Sequence, residues 1–132
     1  AETYQKVCDG LDGILAKHGY HREGRLYRTK QHNEDTIVLF CHMGVTFYML
    51  SHLLSISPVC LNHTMFLPPS SVTIVSTEDM LYHTLFLSTE EVEQGYGMFR
   101  TQMLGDTSHL YCAGEPVSHM GYFAEILQER PL

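Results

Sequence analysis

The feature that most constrains the fold of this chain is a junction between two apolar segments. The first, Thr36-Ile37-Val38-Leu39-Phe40, is rich in β-branched residues, and the second, Thr46-Phe47-Tyr48-Met49-Leu50, continues at helical length. Cys41-His42-Met43-Gly44-Val45 lies between them. This order predicts a buried strand over 36–41, a tight turn, and a helix over about 44–55.

The same junction predicts an anion-binding site. The first N–H groups of a helix have no intrahelical acceptor and lie at the positive end of the helix dipole. A histidine beside them can donate a hydrogen bond to a phosphate oxygen or exchange a proton near neutral pH. We therefore predict that phosphate binds to the His42 side chain and to the backbone N–H groups of Met43 and Gly44. The alternative is that His42 is a core histidine at the end of a strand.

Composition predicts a single globular domain over residues 1–132, since 44% of the residues are hydrophobic and 17% are charged. The net charge is −7 and no basic patch is present, so we expect no nucleic-acid partner. No apolar stretch reaches the ~18 residues of a membrane span. Four widely spaced cysteines, without a Cys-x-x-Cys pair, predict buried or half-buried free thiols in a cytoplasmic protein. We expect neither a metal nor a cofactor.

Other segments predict alternating helices and strands. The helical spacing of apolar residues from Tyr4 to Leu15 predicts an amphipathic helix that Gly19 ends, and a turn should follow near 23–24. Pro58 is expected to end the second helical unit. Strands are predicted over 71–76, 82–87 and 98–104, followed by a turn over 105–108 and a helix over 118–129. This order predicts a three-layer α/β fold with a mostly parallel sheet flanked by helices, which binds ligands at the carboxyl ends of its strands.

Four segments, in this order, resemble the C-terminal half of the histidine phosphatase superfamily, which includes the cofactor-dependent phosphoglycerate mutases. They are Ile37 to Val45 with His42, Ser51-His52-Leu53-Leu54, Ser71-Val72-Thr73-Ile74, and Gly105-Asp106-Thr107-Ser108-His109-Leu110. The resemblance implies the family's α/β fold without its first strand. It also implies that His42 is a catalytic residue, which hydrogen-bonds the phosphoryl group and stabilises charge during its transfer.

The family's nucleophile is the histidine of an Arg-His-Gly motif, and this sequence contains no such motif. We therefore expect a fragment of an enzyme that transfers or hydrolyses phosphomonoesters through a phosphohistidine, with the isolated chain inactive. The chain begins without methionine inside a helical pattern, which is typical of a cut end. Lys17-His18-Gly19 is the nearest substitute for the motif, but a helix that ends in a glycine cap explains it.

The alternative to an enzyme fragment is a non-catalytic module that binds an anion or pairs its sheet edge with another chain. A strand ending at His42 without its neighbour would leave an exposed edge, and such edges recruit other strands. The expected partners are phosphate or a phosphorylated small molecule, and either a second copy or the missing N-terminal half. No membrane partner is expected.

Other histidines have weaker interpretations. His109 lies in a polar turn that suits either catalysis or local structure, and His52 is expected to serve packing. His18, His21 and His32 are too scattered for a recognisable zinc site.

Overall fold

The structure, a computed structural model, describes residues 2–30, 33–81 and 95–118. Its helices are α1 (Glu2–Lys17), α2 (Met43–Leu54), α3 (Pro58–Thr64) and α4 (Ser108–Cys112). Its strands are β1 (His21–Glu23), β2 (Leu26–Thr29), β3 (Val72–Leu81) and β4 (Gly95–Asp106). The strand expected over 82–87 lies outside the described residues, as does all but the first residue of the helix expected over 118–129.

The four strands form one sheet in the order β1-β2-β4-β3, and every neighbouring pair is antiparallel. The mixture of helices and strands confirms the α/β character, but the prediction of a mostly parallel sheet is wrong. One reason is the tight turn at 24–25 between β1 and β2, where Gly24 has a φ of +64°. A parallel pair needs a crossover of a dozen or more residues, so this connection permits only a hairpin.

The predicted buried strand over 36–41 is also wrong. Residues 33–42 contain no regular secondary structure, and none of the described strands pairs with them. Val38 is 67% exposed and Phe40 is 95% exposed, whereas Ile37 packs against the core. A strand exists only beside a neighbour that satisfies its backbone groups. The local sequence is therefore suited to a strand, but the described residues supply no partner for it.

Two clusters of side chains form the core, and α2 contributes to both. The first lies among α1, α2 and the strands β2 and β4, with Leu11, Leu15, Tyr20 and Tyr27 buried and Met49, Leu53 and Phe99 packed against them. The second joins α2 to α3 and β3, with Phe47, Leu50, Leu61 and Leu67 buried and Met43, Leu54 and Val75 beside them. Helix α2 is thus held between its neighbours along most of its length, which fixes the direction of its N-terminus.

These contacts place the helices on one face of the sheet. Thr77 pairs with Phe99 and Val75 with Thr101, so Phe99 and Val75 project from the same face. Both side chains pack into the helical core clusters. Across the described ranges, the expected third layer is not seen, and the fold is a layer of helices against a sheet.

The helix ends follow local rules. Helix α1 ends at Lys17, and Gly19 adopts a φ of +89° as predicted for a glycine cap. Helix α2 ends at Leu54, close to the predicted end at 55 and before Pro58, and Pro58 is the first residue of a further helix, α3. Proline suits that position because its missing N–H would have no intrahelical acceptor there. Ser57 caps the same helix by accepting a hydrogen bond from the Cys60 N–H at 3.5 Å.

All four cysteines are free thiols, as predicted. Cys8 is buried, but Cys41, Cys60 and Cys112 are exposed, so the expectation of burial is wrong for these three. No helix among the described residues combines the length and the apolar character needed to cross a membrane.

Candidate functional site

His42 is the N-cap residue of α2. Its backbone is extended, with φ −91° and ψ 165°, and its carbonyl accepts the first helical hydrogen bond, from the Thr46 N–H at 3.0 Å. The His42 side chain makes no capping hydrogen bond and is exposed. The structure therefore places the imidazole at the start of a helix, in contact with solvent, and the alternative of a buried core histidine is wrong.

The residues around His42 hold this turn in place. The Thr46 hydroxyl donates to the His42 carbonyl at 2.9 Å, and the Cys41 thiol lies 3.2 Å from the same hydroxyl. Two hydrogen bonds from Thr46 thus converge on one carbonyl, which fixes the His42 backbone relative to α2.

The backbone donors at this end of α2 are open to an anion. The N–H groups of Met43, Gly44 and Val45 precede the first intrahelical bond, and no acidic residue lies in the first turn of the helix. Apart from its two chain neighbours and the backbone of α2 itself, a Cβ built on Gly44 would meet no atom within 4 Å, so the space beside it is open. The dipole of this 12-residue helix is therefore not neutralised by a carboxylate of its own first turn.

The Met43 side chain takes part in core packing rather than in the candidate anion site. Its Sδ lies 3.4 Å from the Leu67 N–H, which donates to it, and the side chain packs into the second core cluster. Only the backbone N–H of Met43 can serve an anion. The packing of this side chain anchors the first turn to the loop before β3.

An open cavity of about 480 Å³ reaches this first turn. Gly44 lines it together with three aromatic residues of α1 and α2, namely Tyr4, Phe47 and Tyr48, and two polar residues of α3, Asn62 and His63. Sequence reasoning missed these neighbours because they come from three helices and share no motif. The recurrence of Gly44, Phe47 and Tyr48 at helical spacing was the one signal that could have indicated a common face.

A second open cavity, of about 520 Å³, is lined by basic side chains that include His21, Arg28 and Lys30. It lies at the C-terminal end of α1, where His18 also lines it and contacts Asp35 with Nδ1 at 2.8 Å from Oδ2. The negative end of a helix dipole disfavours an anion. Arg28 and Lys30, however, carry full positive charges, which exceed the half charge of a helix dipole, so this cavity is a second candidate for phosphate binding.

His109 lies in α4, and the structure favours a structural turn there. The Ser108 hydroxyl and N–H both donate to Asp106 Oδ2, at 2.6 and 3.3 Å. The His109 carbonyl accepts from Ala113, and its side chain is exposed.

Four polar side chains form a network between α1, the β1–β2 hairpin and α2. The Tyr27 hydroxyl donates to Asp12 Oδ1 at 2.6 Å and accepts from Arg22 Nη1 at 3.0 Å. His52 Nε2 lies 2.9 Å from Asp12 Oδ2, and the His52 carbonyl accepts from Arg22 at 3.0 Å. Burial and the bond to Asp12 raise the pKa of Tyr27 far above its usual range. The network joins three elements, and His52 takes part in it through both its ring and its carbonyl.

Among residues 2–30, 33–81 and 95–118, no group of three or more His, Cys, Asp or Glu side chains is placed to hold a metal ion. No protein-family model, curated protein or solved structure matches this chain.

Proposed function

We propose that this chain is the phosphate-binding part of a histidine phosphatase-like enzyme that transfers or hydrolyses phosphomonoesters through a phosphohistidine. The observation that carries the proposal is the exposed His42 imidazole at the N-cap of α2, beside backbone N–H groups that have no intrahelical acceptor. The four segments in the family's order support the same assignment.

In the proposed reaction, a histidine supplied by another polypeptide segment attacks phosphorus. An N–P bond forms as the P–O ester bond breaks, and an acidic group protonates the leaving oxygen. Water then cleaves the N–P bond and releases inorganic phosphate. His42 and the Gly44 N–H donate hydrogen bonds to the non-bridging oxygens during both steps. Positioned donors of this kind stabilise a transition state by about 2.7–4 kcal/mol each.

Binding of inorganic phosphate to the purified chain tests the proposal without requiring turnover. The amide signals of residues 43–45 should shift in a two-dimensional NMR titration, because these N–H groups have no intrahelical acceptor. His42→Ala should weaken binding about 10- to 150-fold, the equivalent of one charge-assisted hydrogen bond of about 1.5–3 kcal/mol. His109→Ala is the matched control, since His109 is also exposed and lies outside the α2 junction. Equal losses in both variants, or shifts away from 43–45, would contradict the proposal.

A second function is favoured by a separate observation, the exposure of the extended segment over 36–41. Val38, Leu39 and Phe40 present apolar side chains to solvent, and the backbone around them pairs with none of the described strands. This segment is suited to strand pairing with another polypeptide. The partner would be a second copy, which gives a homodimer, or an N-terminal half that supplies the first strand of the family fold.

Sedimentation velocity over a wide concentration range tests the homodimer. Phe40→Lys should shift the chain toward monomer, because a charge then replaces the most exposed apolar side chain of the paired segment. Tyr111→Lys, at another exposed aromatic side chain, should leave the association unchanged. A monomer at every concentration would refute self-pairing and leave the N-terminal half as the proposed partner.

A further inference from the structure

The cavity beside α2 adjoins the proposed phosphate site at one residue, Gly44. Gly44 belongs to both, because it lines the cavity and its N–H precedes the first intrahelical bond of the helix. Apart from its two chain neighbours and the backbone of α2 itself, no atom lies within 4 Å of a Cβ built on Gly44, so the cavity is open at this residue. A molecule whose phosphate is held at this turn has room to extend its organic part into the cavity.

The walls of the cavity are suited to a flat apolar group. The rings of Tyr4 and Tyr48 lie edge to face, with centroids 5.3 Å apart and an interplanar angle of 85°. The Tyr4 hydroxyl lies 3.2 Å from Ser51 Oγ, which holds this ring against α2. Phe47 is almost fully buried at the same face, and Val59 is exposed on the α3 side. Aromatic rings bind other rings in such edge-to-face or offset arrangements.

Charge and size agree with the same kind of ligand. The described residues that line the cavity include no carboxylate, so a phosphorylated molecule meets no repulsion from its walls. Asn62 and His63 supply hydrogen-bonding groups on the α3 side. The volume of about 480 Å³ lies within the range of about 300–1,000 Å³ that is usual for small-molecule sites.

We propose that this cavity binds the aromatic part of the substrate, so that the preferred substrates are phosphomonoesters of aromatic alcohols. This inference rests on the proposed function, because the phosphate at the start of α2 sets where the organic group begins. The Tyr4 and Tyr48 rings contact the substrate ring, and the Gly44 N–H contacts its phosphate.

Binding of three probes to the purified chain tests the inference: phenyl phosphate, methyl phosphate and inorganic phosphate. Each is titrated by calorimetry and by two-dimensional NMR. Phenyl phosphate should bind about tenfold more tightly than methyl phosphate, because its ring removes apolar surface from water. It alone should shift the signals of Asn62 and His63 in addition to that of Gly44.

Two variants locate the ring. Tyr48→Ala should reduce the preference for phenyl phosphate and leave inorganic phosphate binding unchanged. Because Tyr48 packs against Tyr4, a second variant that spares the core is needed. Val59→Trp fills the cavity from an exposed position and should remove the preference as well. Val38→Trp is the matched control. Val38 is 67% exposed, against 62% for Val59, and it does not line the cavity.

The outcomes separate the two proposals. Equal affinity for phenyl and methyl phosphate, with shifts at Gly44 for both, would overturn the aromatic subsite and leave the phosphate site standing. A preference for phenyl phosphate that survives Val59→Trp would overturn it as well. Failure of all three probes to bind would refute the phosphate site and the inference together. A preference that Val59→Trp abolishes and Val38→Trp retains would establish the subsite.

Discussion

Tyr27→Phe should destabilise the protein by about 2–3 kcal/mol, less than the roughly 3–6 kcal/mol of two hydrogen bonds to charged partners. The substitution removes the donor to Asp12 and the acceptor for Arg22, at 2.6 and 3.0 Å, in a side chain with no exposed surface. The loss is smaller because Asp12 keeps its contact with His52 and Arg22 keeps its hydrogen bond to the His52 carbonyl. The edge-to-face contact with Phe99, at 5.0 Å, is retained.

The same hydroxyl predicts a loss of stability in alkali. Burial and the bond to Asp12 raise the pKa of folded Tyr27 well above its value of about 10 in an unfolded chain. Above about pH 10 the unfolded chain releases the Tyr27 proton and the folded chain keeps it. The free energy of unfolding therefore falls by up to about 1.4 kcal/mol per pH unit. Below pH 10 this contribution is fully present. Tyr27→Phe lacks this titrating hydroxyl. The difference in the free energy of unfolding between the variant and the wild type should therefore shrink from pH 9 to pH 11.

Urea unfolding followed by circular dichroism, at pH 7, 9 and 11, measures both effects. Tyr111→Phe is the matched control, because the Tyr111 side chain is exposed, and it should change stability by less than about 0.5 kcal/mol at any pH. A Tyr27→Phe deficit below that of the control would refute the stabilising role of the network. A deficit that stays constant from pH 9 to pH 11 would refute the pKa argument alone.

The remaining predictions concern helix chemistry, the exposed segment and the isolated chain's activity. Gly10→Ala should raise the free energy of unfolding by about 0.5–1 kcal/mol, because Gly10 is inside α1 with open space at its Cβ position. Gly19→Ala should lower the free energy of unfolding by about 1 kcal/mol, because a φ of +89° strains a residue with a Cβ. Equal effects of the two glycine substitutions in thermal unfolding would contradict these predictions. Phe40→Ser should leave stability within about 0.5 kcal/mol of wild type, while Ile37→Ala lowers it by about 2 kcal/mol, since only Ile37 packs on the core. The pure chain should show negligible phosphatase turnover, and turnover that His18→Ala abolishes would instead make Lys17-His18-Gly19 the nucleophilic motif.

The strand predicted over 36–41 is wrong because a local sequence does not show which neighbours a strand will have. Its β-branched and aromatic residues fit a strand, and its continuous apolar character fits a strand buried on both faces. Both properties depend on neighbours that lie elsewhere in the chain or in another chain. Phe40 is exposed here because the described residues place no strand beside it. The direction of the sheet was also wrong, since the parallel arrangement was inferred from the order of helices and strands, which does not specify how the strands pair.

The candidate site also has a part that the sequence predicts and a part that it does not. His42 at the start of a helix was predictable, because the switch from a β-branched run to a helical segment at a glycine is a local signal. The cavity was not predictable, because Tyr4, Tyr48 and His63 meet only when three helices pack. The bond between Tyr27 and Asp12 likewise joins a strand to a helix across 15 positions.

The sequence by itself determined several local elements: α1 and its glycine cap, a turn at Gly24 though not the strands on either side of it, the start of α2 at His42, and much of β3 and β4. These depend on spacing and backbone preferences within a few residues. Only the tertiary structure decided that the sheet is antiparallel, that 36–41 stays unpaired, and that an aromatic cavity adjoins the first turn of α2. Contacts between distant segments depend on how whole helices and strands bury their apolar faces together, and no local pattern records that.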